Sequence, residues 1–210
     1  MFRTDISNRL FRGLSPIVHY LPGRLLHTNV IGSALFAAVS GSSAATTATV
    51  GKITTTELLK RNYSKSLAFG SLAGAGSLGL LIPPSIVLIV YGVLAEVSIS
   101  RLFAAGVYPG ILIATLYSGY IMIRCLINPS LAPTLQEKPT FKDIAFGLIN
   151  LIPITILIII VLGSIYSGIA TPSEAAAVGV LATIILTVLT RQLSIEVFLD
   201  LSLIHISEPT

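Results

Sequence analysis

Charge is what this sequence has little of: only 10% of its 210 residues are Asp, Glu, Lys or Arg, against about 25% in an ordinary soluble domain. With 53% hydrophobic residues and a mean hydropathy of +0.89, there is too little polar surface to cover a soluble core, and a soluble globular fold is excluded. Cysteine is nearly absent. Cys125 alone permits no internal disulfide, and at the end of an apolar run it reads as a small packing residue. The N-terminus carries Arg3, Arg9 and Arg12 but no compact apolar stretch before Pro16, so it does not read as a cleaved signal peptide. Also missing are a nucleophile–base set, a phosphate loop and any Cys or His cluster, with His19 and His27 outside metal-ligand spacing. An intramembrane enzyme is therefore only an alternative, as is a channel-like or scaffold protein.

What the sequence does have is charge-free length. Leu25 to Gly51, Ser66 to Ala95, Leu102 to Ile123, Ile144 to Ser173 and Ala175 to Thr190 contain no charged residue. All but the last reach the roughly 20 residues a spanning helix needs. The fold class is an all-α integral membrane protein, with polytopic helices, a re-entrant hairpin and broken helices. The net charge of +4 does not signal nucleic acid, because the basic residues sit in short clusters between apolar runs, as in membrane loops.

The expected organisation is a basic interfacial segment over 1–24, a re-entrant hairpin over 25–51 and a polar cytoplasmic loop or surface helix over 52–65. Two membrane helices over 66–123 follow, the first broken at 83–84. A second cytoplasmic loop over 124–143 precedes the start of a second repeat over 144–200. The final LSLIHISEPT (201–210) matches one reading frame of a common sequencing-library transposon adapter and is expected to be non-native, with the gene cut off at its 3′ end.

Charge bookkeeping sets the topology. If Leu25 to Gly51 enters and leaves on one side while later runs each cross once, twelve of the 13 basic residues share one face and only Arg101 lies opposite. If that run crossed instead, the bias would weaken to eight against five. The positive-inside rule thus favours the hairpin. Its centre, Ser40-Gly41-Ser42-Ser43 followed by Thr46, Thr47 and Thr49, is too polar to face lipid, and irregular backbone at membrane depth belongs in protein or beside a watery cavity.

Two runs of about 30 residues would make roughly 45 Å of straight helix against about 30 Å of hydrocarbon. Their breaks are written as Leu81-Ile82-Pro83-Pro84-Ser85 and Gly168-Ile169-Ala170-Thr171-Pro172-Ser173. Paired prolines remove two N–H donors, so the carbonyls of Gly79, Leu80 and Leu81 become candidate ligands for a hard cation, and half-helix N-termini suit an anionic group. Pro83-Pro84 reads equally as an ordinary kink, and small residues such as Gly70 and Gly74 as helix-packing positions. Thr171, Pro172 and Glu174 fit N-cap, N1 and N3 of a capping box. The functional alternative is that Glu174 helps frame a site at the break.

Five strings then fall in order: LFAAVSGSSAATTATVG from Leu35, KRNY from Lys60, LGLLIPPSIVLIVY from Leu78, LFAAGVYPG from Leu102 and IYSGIATPSEAAAVG from Ile165. From about Leu10 to Leu199 the chain resembles the large membrane subunit of tripartite ATP-independent periplasmic (TRAP) transporters. The resemblance implies a bacterial or archaeal inner-membrane permease with an inverted-repeat, ion-transporter fold of which about half is present. It also implies a Na⁺ gradient as driving force and no cofactor. The implied partners are a periplasmic binding protein delivering an organic acid and a small four-helix membrane subunit. Carried over, it makes Gly41, Ser42, Ser43 and Thr46 the candidate substrate and Na⁺ region, with Na⁺ near Ser42 and Ser43. Pro83, Pro84 and Ser85 form the broken helix beside it.

Overall fold

The computed structural model describes residues 6–133 and 139–189; the expected non-native tail and Arg191 lie outside them. Among the described residues there are helices and no strands. In chain order the α-helices are α1 (Ile6–Val18), α2 (His27–Ser40), α3 (Ser43–Lys60), α4 (Lys65–Gly76), α5 (Leu78–Leu81), α6 (Ile86–Leu94), α7 (Ile99–Ile127), α8 (Phe141–Tyr166) and α9 (Pro172–Leu189). Among the described residues three stretches are long and apolar enough to cross a membrane: Lys65–Leu94, Ile99–Ile127 and Phe141–Tyr166.

α2 and α3 are the two arms of a hairpin. At 14 residues, α2 rises only about 21 Å, short of the roughly 30 Å of hydrocarbon. It stops where Gly41 turns left-handed at φ 61°, its amide donating to the Ala37 carbonyl at 2.9 Å, an αL termination that suits glycine. Ser42 is then extended and caps α3, its hydroxyl accepting from the Ala45 amide at 3.4 Å.

The return arm outruns its expected limit. Of the two readings for 52–65, loop or surface helix, the helix holds as far as Lys60, where α3 ends. The reason is a buried stripe one turn apart, Val50, Thr54 and Leu58, which keeps one face in the core while the polar residues occupy the other. Thr54 satisfies its hydroxyl on the Val50 carbonyl at 2.9 Å. The following turn buries Tyr63, and burial pushes its phenol above the usual range. In the second expected loop, α7 extends to Ile127 and α8 begins at Phe141 behind a capping box of Thr140 and Asp143.

The N-terminal segment departs most from expectation. Residues 6–18 are helical, but Leu10, Phe11, Leu14 and Val18 are buried against protein and are not free to lie on a headgroup layer. α1 packs antiparallel along α8, the two backbones meeting at glycines. A methyl group on Gly13 would sit 2.9 Å from the Gly147 carbonyl oxygen, and one on Gly147 would sit 2.7 Å from that of Gly13. Leu10, Leu14 and Ile154 then close a cluster with Ile31 and Leu35 of the hairpin.

Candidate functional site

The hairpin tip and the first helix break form one structure. Beyond Leu81 the chain is extended through Ile82, and α6 starts at Ile86. The residue four on from Gly79 is Pro83 and four on from Leu80 is Pro84, so neither carbonyl can receive an ordinary helical N–H. Ser85, fully buried, supplies a replacement: its hydroxyl donates to the Leu80 carbonyl at 2.8 Å. That hydroxyl is then not free to cap α6. The cap comes from the hairpin, where the Gly41 carbonyl accepts the Ile86 amide at 3.2 Å. One short turn therefore ties the tip to the break.

Glycines allow this approach. A methyl group on Gly41 would lie 2.7 Å from the Pro84 carbonyl oxygen, and one on Gly79 would lie 2.8 Å from the Ser42 carbonyl and the Ser43 amide. On Gly76 it would overlap the Thr47 hydroxyl. From the other side Gly106 of α7 brings its backbone against the Leu81 carbonyl, where a methyl group would stand 2.8 Å away.

The tip is rich in oxygen. The Ser40 hydroxyl lies 2.9 Å from the hydroxyl of buried Thr46 and 3.4 Å from the Ser42 amide and carbonyl. Thr47 donates to the Ser43 carbonyl at 2.8 Å. Among the described residues no group of three or more His, Cys, Asp and Glu could hold a metal ion, so a cation here would meet hydroxyl and carbonyl oxygens. The N-termini of α3 and α6 open beside them and supply partial positive charge for an anion. Gly41, Ser42, Thr46, Pro84 and Ser85 are thus brought together, with Ser43 against Gly79 and Pro83 buried in the break.

Comparison with known proteins settles the family. Residues 1–205 match the family model for the tripartite ATP-independent periplasmic transporter, DctM component. The chain belongs to the DctM family. It is 37% identical over 182 residues to the C4-dicarboxylate TRAP transporter large permease protein DctM of Vibrio cholerae, covering 82% of this chain and 38% of that protein. Identity to the sialic acid TRAP transporter large permease protein SiaM of the same organism is 32% over 204 residues, 96% of this chain and 47% of the relative. To the ectoine/5-hydroxyectoine large permease protein UehC of Ruegeria pomeroyi it is 34% over 189 residues, 90% and 44%. The chain spans less than half the length of these curated relatives, all named as permeases rather than enzymes.

Within this DctM chain the second break stands apart from the first. The Glu174 carboxylate accepts from the Thr171 amide and hydroxyl, both at 2.8 Å, and the Thr171 hydroxyl accepts from the Glu174 amide at 3.3 Å. Every bond is local and exposed, and none reaches the hairpin tip. Ala170 and Ala175 on either side pack with Phe103, Leu88 and Ile89. Ser40, Thr47, Gly76 and Gly106 belong to the first site without having been singled out for it, and Gly79, named in the sequence for its carbonyl, also meets the tip where its side chain is missing. Ser40 and Thr47 stood in the polar string, whereas the role of Gly79 and Gly106 depends on what faces them, which no local pattern encodes.

Proposed function

We propose that this DctM-family chain forms about half of a permease that takes up an organic acid, such as a dicarboxylate or sugar acid, in symport with Na⁺ across the inner membrane of a bacterium or archaeon. A periplasmic solute-binding protein delivers the substrate, and a small four-helix membrane subunit completes the complex. The face bearing Lys52, Lys60, Arg61, Lys65 and Arg124 is cytoplasmic. The observation that carries this reading is the hydrogen bond from Ile86 to Gly41, which holds an oxygen-rich hairpin tip against a broken helix. That juxtaposition offers neutral oxygens to a cation and two helix N-termini to a carboxylate. The substrates named for the relatives, C4-dicarboxylate, sialic acid and ectoine, bracket the chemistry.

The test is Na⁺-dependent uptake into proteoliposomes by the full-length permease with its binding protein and small subunit. Ser42→Ala together with Ser43→Ala is expected to lower uptake per inserted protein about tenfold, the effect of a loss near 1.4 kcal/mol, and to raise the Na⁺ concentration needed. Uptake at the normal rate with unchanged Na⁺ dependence would show that these serines only pack.

A further inference from the structure

A groove of about 530 Å³ lies between α4 and α7, away from the hairpin tip, within the range of small-molecule sites. The two helices run antiparallel along it. At one end the Ser64 amide donates to the Leu131 carbonyl at 3.1 Å; towards the other, a methyl group on Gly74 would stand 3.4 Å from the Tyr117 ring. The chemistry changes along its length. The first end carries Ser64, Ser66, Tyr120 and Arg124, while the far end is lined by Gly70, Gly74 and Leu116. Gly70 has nothing within 4 Å of where a side chain would begin.

The polar end lies at the ends of two membrane-length stretches, where lipid headgroups would be met. Arg124 lies in the last turn of α7 and Ser64 just before α4, so both mark the ends of membrane-length stretches. No carboxylate among the described residues pairs with Arg124. Its guanidinium donates to the Tyr120 hydroxyl at 3.2 Å and stands 5.8 Å from that ring. Nor does the Ser64 hydroxyl cap α4. A site with an uncompensated cation and free hydroxyls at the membrane edge, continuing into a furrow floored by glycine, matches a phospholipid in both polarity and direction. We propose that this groove binds one anionic phospholipid of the surrounding bilayer, its phosphate at Arg124 and the upper part of an acyl chain over Gly70.

Native mass spectrometry of the full-length permease, with dioleoyl phosphatidylglycerol or dioleoyl phosphatidylcholine added, tests this. Phosphatidylglycerol should be retained in preference. Arg124→Gln should reduce its retention about fivefold, the weight of one basic residue at an anionic surface, and leave phosphatidylcholine unchanged. Gly70→Leu, whose Cβ meets open space, should displace the lipid while keeping the charge. Arg101→Gln should do neither. Equal retention of the two lipids, or no effect of either groove variant, would overturn the proposal. So would competition by inorganic phosphate as effective as by the lipid, which would mark a free-anion site. A photo-crosslinker at Leu116 that captures protein instead of lipid would mark the groove as a subunit interface and overturn it equally. Because retention is read without transport, failure here is separable from failure of the uptake reading.

Discussion

The two helix breaks solve the same problem by opposite means. At 82–85 two successive prolines strip donors from the preceding turn, and the repair comes from far along the chain: Ser85 bonds Leu80, Gly41 caps α6, and glycines on three helices let backbones touch. At 167–171 the repair is local. Gly168 turns left-handed at φ 74°, and Thr171 and Glu174 cap α9 between themselves. At the first break the polar groups are satisfied across the fold, which fixes the break against the hairpin tip, whereas at the second they are satisfied locally and apolar packing of Ala170 and Ala175 ties it to its neighbours. The first is suited to building a site, the second to ending a segment.

Substitutions can break this contrast, and the largest effect is expected at Gly79. Gly79→Ala pushes a methyl group into the Ser42–Ser43 backbone, which has no flexible end to move aside. Overpacking of this kind costs about 1–3 kcal/mol. Tip and break should separate, with loss of uptake and a lower unfolding temperature in detergent; stability close to wild type would show that the approach is loose. Next is Ser85→Ala, which takes the donor from the part-buried bond to the Leu80 carbonyl. The expected loss is about 1–3 kcal/mol, and Ser85→Thr should restore part of it by keeping the hydroxyl.

Smaller effects belong to the second break. Thr171→Ala removes an N-cap and should cost about 0.5–2 kcal/mol, read as a modest drop in detergent stability with uptake retained. The smallest is Glu174→Gln. The amide oxygen can still accept from Thr171, so both stability and uptake should stay near normal. A Glu174→Gln protein that inserts normally yet transports nothing would place this carboxylate in the mechanism and erase the distinction between the breaks.

The same division separates what was legible in the sequence from what was not. The Thr171–Glu174 box could be read because its partners are three residues apart, and the hairpin because Ser40-Gly41-Ser42-Ser43 has no stable place in lipid. The burial of the segment beyond residue 51 is not legible because Thr54, Thr55 and Thr56 look like a surface. In fact Thr54 is buried with its hydroxyl turned back on Val50. The placement of α1 was illegible for a different reason. Four arginines with Pro16, Pro22 and Gly23 as breakers suggest an interfacial segment, and only the facing Gly147, far along the chain, reveals a packing helix.

That glycine contact also sets an order of events in biosynthesis. α1 leaves the ribosome well before α8, because the helix it packs along lies more than 100 residues later. At roughly 5–20 residues per second, α1 waits on the order of ten seconds for α8. During that interval Leu10 and Leu14 cover Ile31 and Leu35 of the hairpin without Ile154, the third buried member of their cluster. A ribosome stalled before Gly147 therefore presents the insertion machinery with an unsealed hairpin, and completion of α8 is the step that closes it.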